Sequence, residues 1–121
     1  MSAHDPQPPE EKRLPLGEAA FGAASLETVL PCLMTLVAEG ELSLLEALAP
    51  VTIGPASILG LPQGRLAEGA PADLILFDPA KPWLCDRDHL LSRSKNSPFD
   101  GRRLQGRVMR TFVGGKMVFE R

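Results

Sequence analysis

The chain has 121 residues, which is enough for one domain with a hydrophobic core and too few for two domains of ordinary size. Its 13 lysines and arginines do not outnumber its 15 aspartates and glutamates, and this balance, with a net charge of -2, argues against nucleic-acid binding. No apolar run reaches the roughly 18 residues of a membrane span, and the polar start lacks the apolar core of a secretory signal. We therefore expect a cytoplasmic protein that does not contact a membrane.

The first half of the chain is predicted to be irregular and then helical. Four prolines interrupt residues 1–24, so no long helix is expected there. A helix is predicted to begin at Ser25, a suitable N-cap, because apolar residues recur at helical spacing beyond it. Pro31 lies inside that pattern, so the helix either kinks there or begins near it, and Gly40 ends it.

Two shorter helices are predicted to complete the helical region, which extends to residue 60. Ser43 and Glu46 have the spacing of a capping box, and Pro50 closes the helix that they start. The segment "GPASILGL" predicts a third helix, with Pro55 in its first turn and Gly60 as its stop.

The second half of the chain is predicted to be rich in β-structure. The apolar run Leu74 to Phe77 indicates a strand that is buried on both faces. Two β-rich runs flank Gly114-Gly115, which suits a two-residue hairpin turn because both positions tolerate a positive φ. The stretch from Trp83 to Gly106 shows few regular features.

Two further groups of residues receive structural interpretations. The basic cluster in the last part of the chain is expected to lie on a solvated strand face rather than to bind phosphate; it consists of Arg102, Arg103, Arg107 and Arg110. Cys32 and Cys85 match no metal or redox spacing, so we expect two reduced thiols.

Four stretches of the chain follow one another in an order that is typical of one enzyme family. They are "SAHDPQPPEEK", "EAAFGAASLETVLP", "PASILGLPQGRLAEGAPADLILFDP" and "SRSKNSPFDGRRLQGRVMRTFVGGKMVFER". Together they resemble the C-terminal part of the dihydroorotases, a family of the amidohydrolase superfamily. Hydantoinases and allantoinases share the third stretch, so the joint order of the motifs indicates the superfamily more strongly than the dihydroorotases in particular.

The resemblance implies an α+β chain with two parts. Residues 1–60 would form the C-terminal end of a (β/α)₈ amidohydrolase barrel, comprising the end of the last strand and the helices after it. Residues 61–121 would supply β-strands of a small composite β-sandwich. Because a barrel needs about 250 residues, the remainder of the barrel or another chain is the expected partner, and uncovered apolar edges would also favour a homo-oligomer.

The resemblance also implies a chemistry, the reversible ring closure of N-carbamoyl-aspartate to dihydroorotate in pyrimidine biosynthesis. In such enzymes zinc activates a water molecule and a carboxylate shuttles the proton. The family's catalytic aspartate aligns with Ala3, which can do neither. Asp5 is the displaced catalytic candidate: a shift of two residues keeps its side chain on the same face but moves it by about 6–7 Å. Alternatively, Asp5 is exposed or starts an Asp-Pro turn.

Four more residues are substrate-binding candidates by the same resemblance. His4 matches the next family position, with a surface or packing histidine as the alternative. Gln7 aligns with a substrate-contacting histidine and can donate a hydrogen bond without bringing a charge. Phe21 and Gly22 align with a loop whose main chain approaches the substrate, where glycine allows close approach, unless they form only a turn before the helix.

No metal site is expected within this chain, since His4 and His89 are its only histidines and no His-x-His pair occurs. Zinc would belong to the full-length family enzyme, and His89 is expected to be exposed. Three functions stay open. They are a portion of a dihydroorotase-like zinc hydrolase that is not catalytically complete, a non-catalytic scaffold subunit that pairs with aspartate transcarbamoylase, and a fragment of a hydantoinase- or allantoinase-like hydrolase.

Overall fold

The computed structural model describes residues 4–121, so Ala3 lies outside the described residues. The described part is α+β, with three helices followed by three strands, as the sequence predicts. The helices are α1 (Val29–Ala38), α2 (Leu44–Leu48) and α3 (Ile53–Leu59), and the strands are β1 (Leu74–Leu84), β2 (Arg103–Val113) and β3 (Lys116–Glu120). No helix among these residues is long and apolar enough to cross a bilayer.

The first helix begins later than the sequence predicts. Ser25 precedes a 3₁₀ turn at Leu26–Thr28, its side chain does not cap that turn, and α1 starts only at Val29. Pro31 therefore lies in the first turn of α1, where its missing N–H removes no intrahelical hydrogen bond. Gly40 follows the end of α1 with a φ of +78°, which confirms the predicted stop.

The other two helices begin and end as predicted. The Ser43 hydroxyl accepts a hydrogen bond from the Glu46 N–H at 3.3 Å, and the Glu46 carboxylate accepts one from the Ser43 N–H at 2.9 Å. This reciprocal pair is the predicted capping box. Pro50 lies in a 3₁₀ turn at Ala49–Val51 after α2, and α3 ends at Gly60, whose φ is +66°.

The three strands form one antiparallel sheet in the order β1-β2-β3. Gly114 and Gly115 connect β2 to β3 with φ values of +55° and +76°, which confirms the predicted hairpin turn. The stretch from residue 83 to residue 106 is more regular than predicted, because β1 runs on to Leu84 and β2 already begins at Arg103.

The prediction that Leu74 to Phe77 is buried on both faces is wrong. Ile75 is 44% exposed and Leu76 is 49% exposed. The physical reason is position in the sheet: β1 is an edge strand that pairs only with β2, and α1 packs against β2. A continuous apolar run is typical of a covered strand, but within residues 4–121 this one is covered incompletely.

The expectation of a solvated arginine face holds for three members of the cluster and is wrong for the fourth. Arg102, Arg103 and Arg110 are exposed, whereas Arg107 is partly buried. The Arg107 guanidinium carbon lies 4.9 Å from the centre of the Trp83 ring, so the aromatic side chain covers it. The sequence cluster therefore divides between two environments.

The core lies where α1 packs on β2. Met34 of α1 is only 2% exposed and lies directly against Gly106 of β2, where a Cβ atom would come within 3.1 Å of the Met34 Cβ. Cys85, just after β1, is fully buried. Both cysteines are free thiols, as expected. This packing anchors the helical half to the sheet and holds the loop before α1 in place.

Candidate functional site

The N-terminal segment of the described chain lies alongside the loop that precedes α1. His4 forms an isolated parallel β-bridge with Ala23, and the Asp5 N–H donates to the Ala23 carbonyl at 3.1 Å. Asp5 precedes Pro6, and a residue before proline favours extended backbone, which suits this pairing. The bridge brings three predicted site residues, His4, Asp5 and Gly22, to one place.

Gly22 is in tight contact with Asp5. A Cβ atom at Gly22 would lie 2.5 Å from the Asp5 Oδ2 atom and 2.7 Å from its Cβ, and Gly22 has a φ of +102°. Only glycine fits a position with both restrictions. The close approach at Gly22 is to Asp5, and the approach of this main chain to a substrate stays a prediction.

Gln7, two residues after Asp5, contacts the same group of residues. Its Nε2 donates to the Asp5 Oδ1 atom at 2.9 Å, and its backbone carbonyl accepts a hydrogen bond from the Ser94 hydroxyl. Asp5 is exposed and Gln7 is partly buried. The pair is thus held between the loop at Gly22 and the loop that contains Ser94, with the Asp5 carboxylate still open to solvent.

His4 has a role that the sequence does not reveal. Its Nδ1 atom accepts hydrogen bonds from the backbone N–H groups of Ser25 and Leu26, each at 3.1 Å. These are two of the N–H groups at the start of a helical turn that lack intrahelical acceptors. Because Nδ1 accepts, the imidazole proton of neutral His4 must be on Nε2. His4 thus caps the turn that the Ser25 side chain was expected to cap.

Asn96 is a site residue that sequence reasoning missed. Its Nδ2 donates to the Gly22 carbonyl at 3.3 Å, and its backbone carbonyl accepts a hydrogen bond from the Ala24 N–H at 2.7 Å. It is the one asparagine of the chain and lies in the polar run "SRSKNS". That lone asparagine was the available signal. Phe21, beside this loop, is 90% exposed.

An open cleft of about 570 Å³ separates the N-terminal segment from the loop at residues 92–94. His4 and Gln7 line it, together with Arg93. Asp5, Phe21 and Gly22 do not. The structure therefore brings two of the five predicted site residues to the cleft wall and places Asp5 and Gly22 behind them.

The described residues do not fit a zinc ion. Within residues 4–121 no group of three or more histidine, cysteine, aspartate or glutamate side chains is arranged to hold a metal. The Nδ1 atom of His4 is engaged with backbone N–H groups. His89 has an exposed side chain, as expected, and its Nδ1 lies 2.7 Å from an Asp86 carboxylate oxygen.

Comparison with known proteins places the chain in a family. The profile of the amidohydrolase family matches residues 13–118, and the chain belongs to that family. It is 46% identical over 116 residues to the dihydroorotase of Wolbachia sp. subsp. Drosophila simulans (strain wRi). That alignment covers 96% of this chain and 26% of the relative, so the chain spans about a quarter of the length of the curated relatives that it matches. The resemblance to part of a dihydroorotase is confirmed.

Solved structures show the same fold. A D-hydantoinase (dihydropyrimidinase) from Thermus sp. superposes with a TM-score of 0.87 at 24% identity, over 97% of this chain and 27% of that chain. An L-hydantoinase (dihydropyrimidinase) from Arthrobacter aurescens superposes with a TM-score of 0.80 at 35% identity, over 87% of this chain and 24% of that chain. At 24% identity, the likeness to the D-hydantoinase shows the fold alone.

Proposed function

We propose that this chain is the C-terminal portion of a dihydroorotase-like cyclic-amide hydrolase and is not catalytically complete by itself. The observation that carries the proposal is the 46% identity to a dihydroorotase over 96% of this chain, which corresponds to 26% of that relative. In this proposal residues 1–60 form the end of the barrel and residues 61–121 contribute strands to the β-sandwich. The reaction is the interconversion of N-carbamoyl-aspartate and dihydroorotate in pyrimidine biosynthesis.

The zinc ion of the full-length enzyme would be bound by residues outside this chain, because the described residues offer no suitable group of ligands. What this chain contributes is one wall of the substrate cleft. Gln7 and Arg93 line the cleft, and their amide and guanidinium groups can donate hydrogen bonds to the carboxylates of N-carbamoyl-aspartate. The Asp5 carboxylate does not line the cleft formed by the described residues, but it is exposed and accepts a hydrogen bond from Gln7 at 2.9 Å. In this proposal it moves a proton to substrate only once the remainder of the barrel covers this face.

His4, Gly22 and Asn96 act as positioning residues in this proposal. The His4 imidazole fixes the start of the helical turn, and Asn96 joins the Gly22 loop to the loop that carries Arg93. Their hydrogen bonds hold the loops next to the cleft in place, and the bond from the Ser94 hydroxyl to the Gln7 backbone carbonyl joins its two sides. Phe21 is exposed beside this loop, and we propose that it contacts the substrate or the covering polypeptide.

The partner proposed for this chain is the remainder of the barrel, in the same polypeptide or in a separate chain. Exposed apolar side chains on α2 and α3 support this, since Leu45 is 80% exposed and Ile58 is 86% exposed. Surfaces of this kind are normally covered in a folded protein. A homo-oligomer would cover them in the same way.

A hydantoinase-like activity is the second candidate. It is favoured by the 35% identity to the L-hydantoinase from Arthrobacter aurescens over 87% of this chain. Both enzyme classes open a cyclic amide, and they differ in the ring and in its exocyclic carboxylate. A site in which Arg93 binds a carboxylate favours dihydroorotate, because hydantoin has no such group.

The decisive assay uses the protein at its native length, loaded with zinc, and measures hydrolysis of dihydroorotate and of hydantoin side by side. We expect turnover of dihydroorotate and at least a tenfold loss of kcat/KM for Gln7→Ala, with no change for the control Gln63→Ala, which lies outside the cleft. Turnover of hydantoin alone would establish the second candidate. Turnover of neither ring, with co-purification of aspartate transcarbamoylase, would support the scaffold alternative and overturn both.

A pair of variants separates the two possible positions of the catalytic carboxylate. If Asp5 moves the proton, Asp5→Asn abolishes turnover and Ala3→Asp changes little. If the catalytic carboxylate has been lost at position 3, Ala3→Asp raises turnover and Asp5→Asn leaves turnover unchanged. Asp88→Asn, an exposed change in the 3₁₀ turn at Arg87–His89, is the matched control for loss of a negative charge.

A further inference from the structure

A second cleft, of about 170 Å³, lies between the start of α1 and the sheet, away from the cleft described above. We call it the arginine cleft. One part of its wall is apolar and includes Leu30, Val108 and Phe119. The other part is polar and is formed by Glu27, Trp83, Arg107 and Arg121.

The two arginines of this cleft form no ion pair with a carboxylate in the described part of the chain. Within residues 4–121, neither Arg107 nor Arg121 has a carboxylate oxygen within 4.0 Å of its guanidinium nitrogens. Burial lowers the pKa of the Arg107 guanidinium, and the positive charge of Arg121 lowers it further. Two cations that share one small cleft repel each other unless an anion lies between them.

Among the described residues, Glu27 carries the one side-chain carboxylate that lines the cleft, and it is engaged elsewhere. Glu27 Oε1 accepts hydrogen bonds from the backbone N–H groups of Leu91 at 2.7 Å and Ser92 at 3.3 Å. Its charge still attracts Arg107 at longer range. With two arginines and one glutamate, the side chains that line the cleft have a net positive charge.

Two N–H groups in the wall have no acceptor within the described part of the chain. The Trp83 Nε1 and Arg107 Nε atoms are buried, and neither donates a hydrogen bond there. They belong to side chains in contact, since the Arg107 guanidinium lies 4.9 Å from the centre of the Trp83 ring. Buried N–H groups in folded proteins nearly always have an acceptor, and both of these groups can only donate.

We propose that the arginine cleft binds a small organic carboxylate. Its charge lies between the two arginines, and its oxygens accept hydrogen bonds from the Arg107 guanidinium. Trp83 Nε1 is buried in the described structure, so it reaches a carboxylate oxygen only if the indole turns toward the cleft when the ligand binds. The guanidinium fork matches the geometry of a carboxylate, and a short apolar body fits against Leu30 and Phe119. This binding site is independent of the proposed hydrolase reaction.

Trp83 is the only tryptophan of the chain, so its indole N–H reports directly on this site. The experiment uses the protein at native length with ¹⁵N-labelled tryptophan, and the Trp83 resonance is assigned by its loss in Trp83→Phe. The probe is 3-methylbutanoate, and its neutral amide is the matched control ligand. Sodium chloride keeps the ionic strength constant. We expect a saturable shift of the Trp83 indole signal with the acid and none with the amide.

Variants locate the binding. Arg107→Gln is expected to weaken the affinity for the acid at least tenfold. The affinity of Arg107→Lys is expected to lie between those of Arg107→Gln and the unchanged protein, because lysine retains the charge but loses the guanidinium fork. Arg110→Gln is the control, since that arginine pairs with Glu120 at 2.7 Å outside the cleft. The dispersion of the methyl proton signals verifies that each variant is folded. Equal shifts with acid and amide, or no saturable shift with the acid in the folded protein, would overturn the proposal.

Discussion

Gly22 and Asp5 lie so close together that a Cβ atom on Gly22 would be 2.7 Å from the Cβ of Asp5. The contact joins the N-terminal segment to the loop before α1, and the Asp5 N–H bond to Ala23 lies beside it. It therefore sets the position of the wall that carries His4 and Gln7. The proposed substrate cleft depends on a backbone contact between residues 17 positions apart.

Replacing this glycine tests the contact. Gly22→Ala should lower the free energy of unfolding in two ways, through a positive φ that alanine tolerates poorly and through a clash with Asp5. Gly40→Ala is the matched control, because Gly40 also has a positive φ but no atom within 4 Å of a built Cβ. We expect Gly22→Ala to be the more destabilising by about 1–3 kcal/mol in urea unfolding. Equal losses for the two variants would mean that the Asp5 contact is not tight.

Asn96 should prove necessary for joining the loop at Gly22 to the loop that follows Arg93. Asn96→Asp keeps the size of the side chain but removes the Nδ2 donor and places a carboxylate against the Gly22 carbonyl. We expect a loss of about 1–3 kcal/mol in the free energy of unfolding. Asn96→Ala, which removes the donor without adding a charge, should lose less. Hydrogen exchange at the Ala24 N–H is the local readout, and faster exchange is expected in both variants.

The capping box of α2 should make stability depend on pH. Hydrogen bonds with Ser43 lower the pKa of the Glu46 carboxyl below its ordinary value of about 4.5 in the unfolded chain. A lowered folded-state pKa means that this contribution is fully present above about pH 4.5 and is lost as the pH falls through the lowered value. Glu46→Gln should remove this part of the dependence when unfolding is measured between neutral and acidic pH. Glu39→Gln, an exposed change after α1, is the control and should retain it.

The two cysteines should react slowly with thiol reagents while the protein is folded. Burial raises the pKa of the Cys85 thiol, and burial together with the nearby Cys85 raises that of Cys32. A raised pKa lowers the fraction of thiolate, which is the reactive form. Cys32→Ser leaves only the Cys85 thiol, and Cys85→Ser leaves only the Cys32 thiol. Each remaining thiol should be modified much faster in denaturant than in the folded protein. Rapid modification of Cys85 in the folded protein would contradict its burial.

The features that were predictable from the sequence are those that depend on neighbouring residues. The Ser43–Glu46 capping box, the stops at Gly40 and Gly60 and the Gly114-Gly115 hairpin turn all formed as predicted. Each depends on a hydrogen bond or a φ value within a few residues, so the local sequence is sufficient. The order of motifs was likewise sufficient to indicate the amidohydrolase family.

Only the tertiary structure decided which distant residues meet. His4 caps a turn 21 and 22 residues further along the chain, Asn96 bonds to Gly22 across 74 residues, and no local pattern contains either pair. The burial of β1 and of Arg107 also depended on what each faces, and an apolar run or an arginine cluster does not encode its neighbours. Local sequence determines backbone geometry, whereas long-range packing determines which side chains share a site, because such contacts form only once the chain has folded.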